Sequence, residues 1–393
     1  MFRQRPAPHH DESLESFVIR IANKNGYDDV TRFLMAVKRL LQNIDTYKFQ
    51  TFPTNISLLN PFSSKAHSTA RTAALHKLGS LTFNEPVELL GIAINRTSIA
   101  YSPSTTGLIR GSEVIPRSLL RKGNIPCCPV CLHENGYASY YWHFTAYEAC
   151  HTHNVSLIDK CTCGANYDYR KDGLSGVCNQ CCEPLEINQL DPSDNFIMIS
   201  KWLTGGINPP LPNIPISYRW GLLHWWEKNP ELKIKLNDFV HLWHEWPLAF
   251  HIHINDKITF SIEHAVVSKS ELRVKDVFDT LLFNAIRLPD RSLRHNLILR
   301  ELVQFIDDHL WEQDGLIANL HMNAIEISVF LNCTLEQVAS MVEQRLIKPF
   351  KRVKPGSPLN VTDYQFYLGD VFCLWLAEFQ TDEFNRSFYV SRC

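Results

Sequence analysis

No run of about eighteen apolar residues free of charge occurs anywhere in the chain, so no membrane-spanning helix is expected. Residues 1–10 lack the uninterrupted apolar stretch of a secretory signal, which points to a soluble, cytoplasmic protein. Positive charge is also missing in excess. A formal net charge of -2 over 393 residues makes no broad field for neutralising phosphates, so any contact with DNA or RNA is expected to be local. The sequence contains no H-E-x-x-H, G-x-x-x-x-G-K-[ST], G-x-S-x-G or G-x-G-x-x-G pattern, which leaves zincin, ATPase, hydrolase and dinucleotide chemistry without local support. The neighbouring carboxylates Asp28-Asp29 and Asp307-Asp308 are read as solvated caps and surface rather than magnesium ligands. A non-enzymatic protein is therefore expected. Internal repeats, low-complexity tracts and heptad arrays are absent as well.

What is present is ordinary globular material, 45% hydrophobic and 20% charged, long enough for two or three domains. Leu14, Phe17, Val18, Ile21 and Ala22 recur at helical spacing, with Asp11 as the expected cap and Gly26 as the stop. Val30, Phe33, Leu34, Val37, Leu40 and Leu41 repeat the pattern. A third helix is expected over 64–78, ended by Gly79, and a fourth opens at Asn84 and Pro86. Residues 101–118, interrupted by Pro103, Gly107, Gly111 and Pro116, read as a linker. Beyond residue 192 helical patterns return at 196–203, 218–226, 239–246, 277–286 and 293–311, and only 250–267 looks β-like. Trp225, Trp226, Trp243 and Trp246 cluster there, and amphipathic helices place such rings in the core more often than against bases. The expected architecture is mainly α: an N-terminal helical domain (1–100), the linker (101–118), a central tandem zinc-finger segment (119–190) and a C-terminal helical domain (191–393).

Twelve cysteines without an export signal read as metal ligands rather than disulfides. Cys128 and Cys131 form a C-x2-C pair whose thiolates converge from one tight turn, and Cys150 with His153 supplies a C-x2-H pair to complete a tetrahedral shell. His151 is the alternative imidazole, disfavoured because adjacent side chains diverge. A second set comprises Cys161, Cys163, Cys178 and Cys181, with Gly164 and Gly176 loosening the backbone. Its C-x-C pair is tight, so Cys182 is an alternative ligand. Sequential pairing closes each site within a short loop and is favoured over a cross-braced arrangement, which the spacing leaves open. Two structural zinc ions are expected, because a saturated four-donor shell leaves no position for a reacting water. The short aromatic stretch 137–147 suits small hairpins around the metal. Cys127, Cys333, Cys373 and Cys393 remain as ordinary thiols.

Near 322–348 a helix-turn-helix is expected. Ala324, Ile327 and Phe330 mark its first helix, and Thr334 with Gln337 forms a capping box opening the second. Val338, Met341, Val342 and Leu346 make the second helix's buried stripe. Arg345, Lys348, Lys351 and Arg352, with Lys354, offer contacts to nucleic acid or a partner on the helix end and a basic wing, whereas Glu336 and Glu343 on the exposed face disfavour phosphate.

Pro6-Ala7-Pro8 followed by Glu12-Ser13-Leu14, Ser16-Phe17 and Arg20-Ile21-Ala22 resembles the amino-terminal signature of the TniQ/TnsD target-selection family of transposons. Cys128-Pro129-Val130-Cys131-Leu132, Trp142, Cys150, His153, Leu157 and Cys161 resemble its zinc segment, so the likeness covers about the first half of the chain. The C-x-C pair departs from the wider spacing common in the family. In length the chain is similar to the members carried by Cascade-type CRISPR-associated transposons. That resemblance implies a bacterial adaptor, homodimeric and docked on an RNA-guided Cascade complex at its crRNA-processing and backbone subunits. The adaptor would connect Cascade to the AAA+ regulator TnsC and the transposase, with base pairing of the guide specifying sequence. The other branch implies a sequence-specific DNA reader of the TnsD type.

Overall fold

The computed structural model describes residues 2–59, 69–82, 85–186, 193–229, 236–312, 315–350 and 360–379. It is mainly helical and divides into two compact units, residues 1–99 with 106–220, and residues 100–105 with 221–393.

In the first unit α1 (Leu14–Lys24) and α2 (Val30–Gln42) pair through their apolar stripes. Phe17, Val18, Ile21 and Ala22 of α1 and Phe33, Leu34, Val37 and Leu41 of α2 are fully buried, while Leu40 faces outward. Ser13, rather than Asp11, caps α1: it has the extended backbone a cap requires, and its hydroxyl accepts the Ser16 N–H at 3.1 Å. Gly26, at φ +77°, reverses the chain after Asn25 as expected. Helix α3 (Thr69–Thr82) runs through Gly79 instead of stopping there, and α4 (Pro86–Ile92) follows. A glycine stops a helix when it supplies a left-handed turn, and Gly79 does not adopt one. Residues 64–68 and Asn84 lie outside the described residues.

The segment expected as a linker is instead a three-stranded sheet, β1 (Asn95–Ser102), β2 (Thr105–Arg110) and β3 (Glu113–Pro116), in that order. Its glycines serve the sheet rather than interrupting it. Gly111, at φ +56°, forms the two-residue turn between paired Arg110 and Glu113. At Gly107 a Cβ would lie 2.8 Å from Val114 Cγ1. The cysteine-bearing stretch follows with α5 (Pro129–Asn135) and α6 (Tyr169–Asp172), and then α7 (Asp194–Leu203) and α8 (Ile216–Lys228), the last of which runs across the division between the units.

The second unit continues with α9 (Leu236–His244), α10 (Leu248–Glu263), α11 (Val274–Phe278), α12 (Leu281–Ala285) and α13 (Leu297–His309). The expected strand at 250–267 is the helix α10. Its isoleucines alternate with polar residues, yet burial follows a period of four, with Phe250, Ile254 and Ile258 inside and Ile252 and Phe260 outside. The expected helix at 277–286 is two short ones, broken where Asp279 takes φ +48°. Trp225, Trp226 and Trp243 are core residues. Trp243 packs at a tilt against half-buried Trp246, which in turn stacks on Phe250 at 5.1 Å between ring centroids.

The helix-turn-helix consists of α14 (Ala324–Leu331) and α15 (Leu335–Glu343), which meet at a bend of 103°. Strands β4 (His321–Met322) and β5 (Phe366–Tyr367) pair antiparallel around it, and α16 (Leu368–Phe379) follows. Left-handed Asn332 ends α14, and the expected Thr334–Gln337 capping box opens α15. The guanidinium of Arg291 donates to the Phe330 and Leu331 carbonyls, satisfying the end of α14. Of the expected stripe only Val338 is fully buried. Arg345 at φ +60° breaks the helical register, so Leu346 turns outward and Ile347 takes the inner place. Arg345 and Lys348 are exposed, as are Glu336 and Glu343, whereas Lys351, Arg352 and Lys354 lie outside the described residues. Among the described residues no single helix is long and apolar enough to cross a membrane.

The burial pattern of α10 makes a direct test. Ile254→Ala is expected to cost about 2–5 kcal/mol in a denaturant titration, and Ile252→Ala less than about 0.5 kcal/mol. Equal losses at both positions would contradict the helix.

Candidate metal centre

Cys128 is the N-cap of α5. Its Sγ accepts the Cys131 N–H at 3.5 Å, so Pro129 and the helical turn bring the two sulfurs onto one side of the chain. Cys150 builds the facing turn: its Sγ accepts the His153 N–H at 3.5 Å, and left-handed Asn154 returns the strand so that Cys150 N–H meets the Val155 carbonyl. The four donors converge. Cys131 Sγ lies 3.5 Å from Cys150 Sγ and 3.2 Å from His153 Nδ1, and Nδ1 lies 3.5 Å from both Cys128 Sγ and Cys150 Sγ. A tetrahedral ion with metal–sulfur bonds of about 2.3 Å needs donor separations of about 3.8 Å, close to these, whereas a disulfide would need about 2.05 Å. Hydrogen bonds from the Cys128 and Cys131 side chains hold the Cys150 thiol well below the usual range.

His153 is the imidazole of the cluster. His151 turns away, its Nδ1 2.7 Å from the Tyr147 hydroxyl. On the outer side of His153, Nε2 meets Glu134 Oε2 at 3.0 Å, the carboxylate–histidine pairing that orients a ligating ring. Glu134 lies one helical turn beyond Cys131 on α5, a position the cysteine spacing alone did not single out.

The second cluster holds Cys161, Cys163, Cys178 and Cys181, with Cys161 Sγ 3.6 Å from Cys181 Sγ and Cys163 Sγ 3.8 Å from Cys178 Sγ. The C-x-C pair fits because Gly164, at φ +87°, turns the chain back so that the Cys161 N–H reaches the Ala165 carbonyl. Cys182 takes a left-handed conformation, is exposed, and lies outside the cluster. The two clusters are thus sequential rather than cross-braced. Each could hold a metal ion through four protein donors. Cys127 belongs to neither, and burial pushes its thiol far above the usual range. Cys333 and Cys373 also lie apart from both clusters, and Cys393 is outside the described residues.

The stretch between the first cluster's two halves, expected as small hairpins, is a 3-10 turn at Tyr140–His143 with all four side chains buried. It docks on α1. Ser13 N–H donates to the Ala138 carbonyl, Ala138 N–H to Ser16 Oγ, and Tyr140 N–H to the Asp11 carbonyl. The Glu12 carboxylate, fully buried, accepts from Ser16 Oγ at 2.8 Å and from Arg20 through two bonds of 2.7 and 2.6 Å. Tyr169 closes the network, with its hydroxyl 2.8 Å from Ser13 Oγ and 2.7 Å from His143 Nε2. Burial pushes the His143 imidazole down to about 3, so it is neutral there. Arg110 donates to the His10 carbonyl and stacks 3.6 Å above the Tyr140 ring. Glu12, Ser13, Ser16 and Arg20 stood out in the sequence as a pattern without a physical role. Arg110, His143 and Tyr169 had no sequence signal, since only the folded chain joins them to that pattern.

The unit therefore defines a helical domain welded to a pair of cysteine knuckles. Residues 3–157 match the TniQ family model, so this part of the chain is similar to the TniQ domain. The match takes in both the α1 signature and the first metal cluster through His153, and ends before the second. No curated protein matches the chain.

Elemental analysis is expected to find two metal ions per chain, and one after Cys128→Ser, with loss of near-ultraviolet dichroism from the aromatic stretch. Arg20→Met leaves the Glu12 carboxylate buried without its cation, and it should lower stability by about 3–5 kcal/mol while metal content stays unchanged. An Arg20→Met protein as stable as the parent would show that the pair does not hold α1 in place.

Proposed function

We propose that the protein is a non-catalytic target-selection adaptor of transposition, carrying one structural zinc ion in each cysteine cluster. It links an RNA-guided Cascade complex to the AAA+ regulator TnsC and the transposase. The observation that carries this reading is the match of residues 3–157 to the TniQ family model, within which Glu12, Ser13 and Arg20 are engaged in fixing α1 to the cysteine-bearing stretch rather than in a reactive centre. A saturated shell of three thiolates and an imidazole, or of four thiolates, suits zinc and leaves no open position for substrate. The rigid unit then acts as a platform, and a homodimer would double its contacts with the assembly. A chain near neutrality gains specificity from protein docking and guide pairing rather than from its own search of DNA. In this role the protein works in the bacterial cytoplasm and meets nucleic acid mainly through the complex.

A second reading, a DNA-reading selector of the TnsD type, draws support from the helix-turn-helix with its capped α15 and the exposed Arg345 and Lys348 beside it. Glu336 and Glu343 on the exposed surface of α15 count against it.

Co-expression with Cascade and affinity purification separates the two. The adaptor is expected to co-purify with the guide-loaded complex and to bind duplex DNA alone weakly and without sequence preference. A nanomolar footprint in the absence of guide RNA, abolished by changing Arg345 and Lys348, would establish the TnsD-type reader instead.

A further inference from the structure

A cavity of about 250 Å³ in the second unit opens between the end of β1, helix α12 and the turn of the helix-turn-helix. Its lining is mixed. Phe283, Ile286 and Val329 supply the apolar part, and Arg287, Asn332 and Ser102 the polar part. The polar groups are left without strong partners. Among the described residues the guanidinium of half-buried Arg287 makes no hydrogen bond or ion pair, and the side-chain amide of exposed Asn332 has no protein partner. The Ser102 hydroxyl has only a 3.4 Å approach to Ser104 Oγ. The five N–H donors of Arg287 are therefore open to an acceptor that enters the cavity. Here a cation, an amide and a hydroxyl line one recess with an apolar floor, the arrangement by which concave sites fix the polar end of a small ligand.

We propose that this cavity binds a carboxylate carrying a short branched apolar group. The guanidinium fork matches a carboxylate in shape and charge, and donation from the amide and hydroxyl satisfies the remaining lone pairs. Phe283, Ile286 and Val329 take the apolar group, which inorganic phosphate, fully hydrated and without such a group, does not offer. The binding site includes Asn332, the left-handed residue between α14 and α15, so an occupied cavity clamps the turn that sets the angle of the helix-turn-helix. This reading is independent of the adaptor role and of the metal.

Isothermal titration of the full chain tests it with N-acetyl-leucine, with a hexapeptide ending in leucine with a free carboxyl, and with the same hexapeptide amidated. Inorganic phosphate serves as a fourth probe. At least one free-carboxyl ligand should bind, amidation should abolish binding of the peptide, and Arg287→Met should weaken the carboxylate by about tenfold or more. Asn332→Gly, which keeps the left-handed backbone, should weaken it by a smaller factor, and metal content and circular dichroism should be unchanged in both variants. Binding of N-acetyl-leucine alone identifies a free small acid as the occupant, and tighter binding of the peptide identifies a carboxyl terminus. Absence of heat with both carboxylates, affinity retained in both correctly folded variants, or phosphate binding as tightly as the carboxylates would overturn the proposal.

Discussion

The pairing of the fully buried Glu12 carboxylate with partly buried Arg20 is the contact on which the first unit turns. An ionised carboxylate without access to water is tolerable only when its lone pairs are filled, and Glu12 fills them with the Ser16 hydroxyl and both arms of the Arg20 fork. That requirement fixes the start of α1, sets Ser13 as its cap and places Ser16 Oγ where the Ala138 N–H can reach it. The aromatic turn is then held against α1, and the two halves of the first metal cluster, on either side of that turn, are held at a distance where four donors can meet. A polar network this deep adds less to stability than an apolar core would, but it permits one arrangement only.

The cysteine pattern was the most legible part of the sequence, because ligand spacing is a local property and thiolate pairs in tight turns carry the same meaning in any fold. The choice between His153 and His151 also followed from the chain, since neighbouring side chains diverge. What spacing could not reveal were the partners that arrive from elsewhere: Tyr169 on Ser13, His143 on Tyr169, Arg110 on Tyr140. The capping box at Thr334 was readable for the same reason as the knuckles, being closed within four residues.

The errors have a common origin. Gly107 and Gly111 read as punctuation when each meets a demand of the sheet, and the alternating isoleucines of α10 read as a strand until packing selected every fourth residue. In both cases local preference was overruled by what lay on the other side of the chain. Leu346 failed in the opposite sense: its helical register was sound up to Glu343, and one left-handed residue, Arg345, turned it to solvent.

The two cysteine clusters differ in how much protein covers them. Each cluster has two buried cysteines, but the first has none that is exposed, whereas Cys163 of the second is exposed. A chelator or an oxidant therefore reaches the second knuckle first, and that knuckle can open while the first still holds α1. The unit is thus graded, with a sacrificial outer clasp whose release would alter the distal surface and spare the fold beneath it.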